Sequence, residues 1–166
     1  MPAPRVLPRE KVLRNHLTCL IAVSALALSA CASMKYGDKD VEASLKKLEP
    51  VPEKASLYVC REQALLFSAG VRTVAYVDGE PIGTLKPNTF AQTVVAPGKH
   101  EIYLRKDGLA TGNSGVLSVD ASVGEVVIVW AGVTGGGFGA LTVDRFEKRS
   151  DAESCVKGAA YSVRAE

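Results

Sequence analysis

A chain of 166 residues, 47% of them hydrophobic, has enough apolar side chains for one domain with a true core, which excludes a disordered polyelectrolyte. Its 20 basic and 18 acidic residues give a net charge of only +2, and the basic excess sits near the N-terminus, so no basic patch for nucleic acid remains elsewhere.

The basic segment Arg5, Arg9, Lys11 and Arg14 leads into an apolar run of 14 residues, Leu17 to Ala30, interrupted by Thr18, Cys19 and Ser24. That is shorter than the roughly 20 residues a membrane-crossing helix needs, and it reads as a secretory signal helix covering residues 1–30. The tetrapeptide Leu28-Ser29-Ala30-Cys31 at its end reads as a bacterial lipobox. In the lipoproteins this resembles, Cys31 receives a diacylglycerol thioether, the preceding bond is cut, and the new amine is acylated. No other cofactor is expected. Each buried methylene contributes about 0.8 kcal/mol, so three acyl chains make the membrane the first partner. Ala32 follows, not the aspartate associated with inner-membrane retention, so the expected location is the outer membrane with the domain facing the periplasm. The alternative is an ordinary signal peptide cut nearby. Cleavage removes four basic residues and one acidic one, leaving 16 against 17, a net charge of −1.

Residues 31–54 are small, charged and punctuated by Pro50 and Pro52, which reads as a tether. Within them Val41, Leu45 and Leu48 recur at helical spacing, with Asp40 as a candidate cap and Lys46 and Lys47 near the negative end of a short helix; its narrow apolar stripe is expected to pack back onto the domain, with a handle for a partner as the alternative. From Ala55 onward, short runs rich in Val, Leu, Tyr and Thr are broken by Gly, Pro and Asp, the texture of an all-β antiparallel sandwich over 55–166. The expected strands are 56–61, 71–77, 82–85, 89–95, 101–105, 116–119, 126–130 and 140–146, with the apolar stretch 64–67 either prolonging the first or crossing over. Asp78-Gly79 suits a tight hairpin, Pro97-Gly98 another turn, and Ser122-Val123-Gly124 a third. The unbroken run Val126 to Trp130 fits a central strand covered on both faces, or one whose outer face carries the tether helix. Asp151 to Lys157 has helical spacing that Gly158 ends.

Four cysteines are present. Cys19 leaves with the signal and Cys31 takes lipid, so Cys60 and Cys155 remain as a pair in an oxidising compartment. A disulfide between them would tie the C-terminal segment to the first strand; two buried thiols are the alternative.

Leu57-Tyr58-Val59-Cys60-Arg61, Val77-Asp78-Gly79, Ile82-Gly83-Thr84-Leu85, Thr89-Phe90, Pro97-Gly98-Lys99-His100 and the 124–130 strand occur in an order that resembles a bacterial lipoprotein family catalogued as a domain of unknown function. Small carbohydrate-proximal sandwich modules share the Val-x-Asp-Gly and Pro-Gly-x-His turns. The resemblance implies a sandwich of the immunoglobulin or transthyretin kind. Cys60 stands where that family usually has an apolar or aromatic residue, so the bridge is not implied by it.

Chemistry is sparse. His100 is the one histidine left after cleavage, shares parity with Ile102 and Leu104, and has no thiolate or second histidine to complete a nucleophile–base pair. Asp78 and Glu80 sit at a turn for backbone reasons, and scattered acids with one histidine do not suggest a metal. The glycines at 135–137 and 139 precede an alternating strand, not the helix a phosphate loop requires, which leaves Phe138 among them as a candidate contact for a sugar or partner, or a side chain folded back on the sandwich. The expectation is a non-enzymatic envelope module that binds a protein or glycan. An accessory lipoprotein of a secretion or transport machine is a related alternative. A cell-wall-modifying enzyme is the different one, and would need a cleft gathering His100 with acids such as Asp120 or Asp144.

Overall fold

The computed structural model describes residues 34–64, 68–107, 112–134 and 139–164, within one compact unit that begins at Met34. The signal, the lipobox and Cys31 lie outside the described residues, as does Phe138.

Strand β1 (Ala55–Arg61) is buried along its whole length, because both of its faces are covered. It sits in the middle of a five-stranded sheet. On one side it pairs antiparallel with β4 (Thr89–Val95), and on the other it pairs parallel with β7 (Val126–Val133). Strand β8 (Leu141–Arg145) extends the sheet beyond β7, and the two-residue β9 (Ala160–Tyr161) runs parallel to β4 at the far edge. The second sheet is antiparallel and holds, in order, β3 (Glu80–Leu85), β2 (Thr73–Val77), β5 (Gly98–Lys106) and β6 (Leu117–Ala121). The β-sandwich expected from the sequence is therefore present, but not as a purely antiparallel one. Many residues separate β1 from β7, enough for the long crossover that parallel pairing requires, whereas the short Gly- and Pro-bearing turns permit only antiparallel hairpins.

Alternation sorts the side chains. Leu57, Val59, Ala75, Ile102, Leu104, Val119, Val127 and Val129 meet between the sheets. The opposite parity of the five-stranded sheet, with Tyr58, Cys60, Phe90, Val126 and Ile128, is covered by helix α2 (Arg149–Gly158) through Ala152, Cys155 and Val156. The apolar run in β7 thus serves two cores. Its outer cover comes from the C-terminal helix, with Leu45 and Leu48 of the N-terminal segment packed at the margin.

That N-terminal segment is docked from Met34 on, with Leu45 and Leu48 packed back on the domain and Val41 left exposed. Helix α1 (Lys39–Leu45) is capped by Asp38, whose Oδ1 accepts the amides of Asp40 and Val41 at 2.8 and 3.2 Å. The cap lies two residues before the Asp40 expected from sequence, because an extended residue just ahead of the first turn is the one whose carboxylate can reach back to the free amides. Glu42 is buried and accepts Lys46 Nζ at 2.9 Å and the Tyr161 amide at 2.9 Å, so α1 is pinned to β9. The hydrogen bond from Lys46 holds the Glu42 carboxyl below its ordinary range in spite of its burial. Tyr58 Oη donates to the Leu45 carbonyl at 3.1 Å, and burial beneath this segment pushes its phenol up to about 12. Just before α1, Gly37 and Tyr161 exchange backbone contact (N to O, 3.0 Å), Tyr36 bridges Ser162, and the Val163 amide reaches the Lys35 carbonyl at 3.1 Å. These bonds form a short antiparallel bridge beside β9 at the sheet edge.

Several expected strands differ at their ends. β5 runs from Gly98 to Lys106, longer than 101–105, because β6 offers it partners as far as Ala121. β6 starts at Leu117, leaving Val116 exposed. Of the stretch 64–67, Ala64 is irregular and the rest lies outside the described residues. The Asp78-Gly79 turn does have left-handed φ at both residues (52° and 86°), as its hairpin demands. Gly83 is required for space: a Cβ there would lie 2.7 Å from Ala91 Cβ and 2.9 Å from the Ser162 carbonyl, at the corner where β3 crosses to β4.

Candidate binding site at the sandwich end

The parallel pair β1 and β7 ends at one end of the sandwich, and there a cavity of about 210 Å³ opens among Arg61, Glu62, Gln63, Ser68, Trp130 and Gly132. Arg61 continues the inward parity of Leu57 and Val59, so its guanidinium turns into the space between the sheets, where only 3% of the residue is exposed. Nη1 donates to the Val71 carbonyl at 2.6 Å and Nη2 to the Ser68 carbonyl at 2.9 Å, which fastens the connection leading to β2. Among the described residues no carboxylate pairs with it. Burial lowers its pKa. Among the described residues, two of its five N–H donors meet acceptors, and the side chain also lines the cavity. Glu62, also at the rim, is exposed to solvent.

Trp130 stands on the opposite face of β7, level with Cys60 across the parallel pairing. Two residues on, Gly132 shares that face, and the indole lies over it so closely that no Cβ would fit. The ring is thereby laid down along the strand and held half-buried at the cavity wall. The stem of the β7–β8 hairpin closes at this same end, where Val133 pairs with Leu141 and the Thr134 amide reaches the Ala140 carbonyl at 3.0 Å. The indole from the outer face of β7 and the Arg61 guanidinium from the inner face of β1 both line one opening, which joins a flat apolar surface to an anion-binding group.

The sequence reading missed this site. Arg61 and Trp130 lie 69 residues apart in no local motif, and only the parallel pairing of β1 with β7 brings their strands side by side. Cys60 and Cys155 are joined in a disulfide with Cα atoms 6.2 Å apart, because Cys60 faces outward under α2. Among the described residues no group of three His, Cys, Asp or Glu side chains gathers as a metal site, and no helix is long and apolar enough to cross a membrane.

His100 occupies the other end of the sandwich. Its Nδ1 lies 2.6 Å from Asp78 Oδ2 and its Nε2 lies 2.8 Å from the Ala96 carbonyl, while Asp78 Oδ1 accepts the Glu101 amide at 2.9 Å. Both ring nitrogens face acceptors, an arrangement that suits the doubly protonated ring and ties the Val77-Asp78-Gly79 hairpin to the Pro97-Gly98 turn. No hydrogen bond or ion pair joins His100 to Asp120 on β6 or to Asp144 on β8 in the other sheet. Burial works against charge on His100, but the bonds to Asp78 and Ala96 outweigh it and raise its pKa. For Asp78, burial likewise opposes ionisation, and the bonds from His100 and Glu101 prevail and lower its pKa.

The sign of the pH dependence follows. A raised histidine contributes stability fully below its ordinary 6.5 and loses it as pH rises through the folded value; a lowered aspartate contributes above its ordinary 3.8 and loses it as pH falls through the folded value. The pair is therefore expected to stabilise most between those two values. Urea midpoints of the wild type should fall as pH rises from 6 to 8, and His100→Gln should flatten that slope while costing about 1–3 kcal/mol at pH 6. An unchanged slope in the variant would remove the pair as its source.

No protein-family model, curated protein or solved structure matches this chain.

Proposed function

We propose that the protein is a lipid-anchored, non-enzymatic module of the outer membrane, facing the periplasm, whose sandwich end binds an acidic glycan of the envelope. The observation that carries the binding reading is the Arg61 guanidinium, buried without a carboxylate, opening onto the same cavity as Trp130. A sugar ring can lie against the indole while a carboxylate or similar anion meets the free donors of Arg61. The anchoring reading rests on Leu28-Ser29-Ala30-Cys31 after a signal-like run, and a disulfide between Cys60 and Cys155 fits the oxidising compartment such a signal leads to. The order of motifs that resembles a lipoprotein family of unknown function supports the anchoring reading, and the resemblance would make the sandwich one of the immunoglobulin or transthyretin kind.

The test uses full-length protein purified from bacterial membranes. Wild type is expected to carry acyl chains by mass spectrometry and to bind soluble acidic cell-wall fragments, and Cys31→Ser to lack the lipid. Trp130→Ala, with its circular dichroism retained, is expected to bind at least about ten-fold more weakly, a loss of about 1.4 kcal/mol. Equal binding by Trp130→Ala overturns the site, and turnover of the fragments overturns the non-enzymatic reading.

A further inference from the structure

We infer that the domain lies directly on the bilayer, with the edge formed by residues 35–37, the exposed side of α1 and Arg164 against the lipid headgroups, so that the Arg61–Trp130 cavity is held away from the membrane. The inference rests on acylation of Cys31 and adds to it an orientation. Chain length is the first argument. Only Ala32, Ser33 and Met34 separate Cys31 from Lys35, whose carbonyl is already bonded to Val163. Four peptide units span at most about 14 Å, so the first fixed strand cannot stand farther than that from the lipidated residue.

The composition of that edge is the second argument. Tyr36 is 53% exposed and Val41 46%, although both are large apolar-bodied side chains beside a well-packed cluster. Lys39 has 81% of its side chain in solvent, and Lys35 and Arg164 are exposed as well. Tyrosine favours the headgroup level, where its ring is in apolar surroundings and its hydroxyl stays wet. Lysine and arginine lay their stems along such a surface and put their charges among lipid phosphates. The backbone of this edge is fixed by its pairing with Ser162 and by Glu42, so the arrangement is presented ready-made.

Register then places the cavity. Trp130, Cys60, Phe90 and Tyr161 lie level on successive strands β7, β1, β4 and β9, and Gly37 pairs beyond Tyr161. Four strand spacings make about 19 Å between Trp130 and the edge that meets the bilayer. The anchor edge, beyond β9, and the strand carrying Trp130, next to the β8 margin, are thus separated across one rigid sheet.

The experiment reconstitutes the full-length acylated protein in vesicles of phosphatidylethanolamine and phosphatidylglycerol containing brominated lipids. Trp130 is the chain's own tryptophan and reports the far side of the sheet. Tyr36→Trp and, as a second probe on α1, Val41→Trp, each in a Trp130→Phe background, report the near edge. At least three-fold stronger quenching at positions 36 and 41 than at Trp130 is expected. Acylated, vesicle-bound protein in which all three probes are quenched alike, or not at all, overturns the orientation and leaves the anchor standing. Protein that carries no acyl chain by mass spectrometry overturns the anchor and the orientation together.

Discussion

Cys155→Ala is expected to lower stability by about 2–5 kcal/mol and the melting temperature by roughly 10 °C, and reduced wild type should match it. The bridge closes 95 residues of chain, and a loop of that size is worth at most about 4 to 5 kcal/mol in the chain-entropy account. The effect has a local component too. Helix α2 covers Tyr58, Phe90 and Ile128 by contributing only Ala152, Cys155, Val156 and Ala159, small side chains that bury modest area. Arg149 adds a bond of 2.5 Å from Nη1 to the Val126 carbonyl, and Glu153 holds Arg149 and Lys157 in exposed pairs of small worth. The disulfide is therefore the main fastening of the outer layer, and its loss should raise amide exchange in α2 before that in β1. Coincident melting of oxidised wild type, reduced wild type and Cys155→Ala would show that the helix stays docked by packing alone.

Arg61→Met is expected to cost about 2–5 kcal/mol by urea denaturation and to abolish binding of acidic fragments. Methionine fills most of the volume but leaves the Ser68 and Val71 carbonyls without their charged donors, and charge-assisted bonds of this kind are worth about 1.5–3 kcal/mol each. Relief of a buried charge offsets part of that loss. Arg61→Lys separates the two roles, since an ammonium keeps the charge but cannot fork to two carbonyls: it should be destabilised and retain weakened binding. Full stability of Arg61→Met would mean that the connection from β1 to β2 does not depend on the guanidinium.

The contrast between these two sites shows what could be read directly. Cys60 and Cys155 were legible as a pair because elimination left no other partner for either in the chain after Cys31, and a covalent bond needs only that both ends meet. The Asp78-Gly79 hairpin, the Pro97-Gly98 turn and the alternation of β5 were legible because positive φ and two-residue periodicity are local properties. Arg61 looked like the last residue of a strand. Its burial depends on carbonyls of a connection that has no regular pattern, and on a strand pairing across the 64 residues between Arg61 and Val126, which periodicity does not encode.

The N-terminal segment makes the same point from the other side. Proline, charge and small residues in 32–54 are the composition of a linker, and its one narrow apolar stripe left docking open. What decides it is Glu42, a helix carboxylate that reads as a solvated charge until the Tyr161 amide and Lys46 are found around it. Sequence by itself determined the strand texture, the turns and the cysteine pair, because each follows from short-range stereochemistry or from simple elimination. The tertiary structure alone decided the parallel pairing of β1 with β7, the second core beneath α2, the docking of residues 34–54 and the meeting of Arg61 with Trp130. Those depend on which distant surfaces exclude water together, and burial of that kind is a property of the assembled chain and not of any stretch within it.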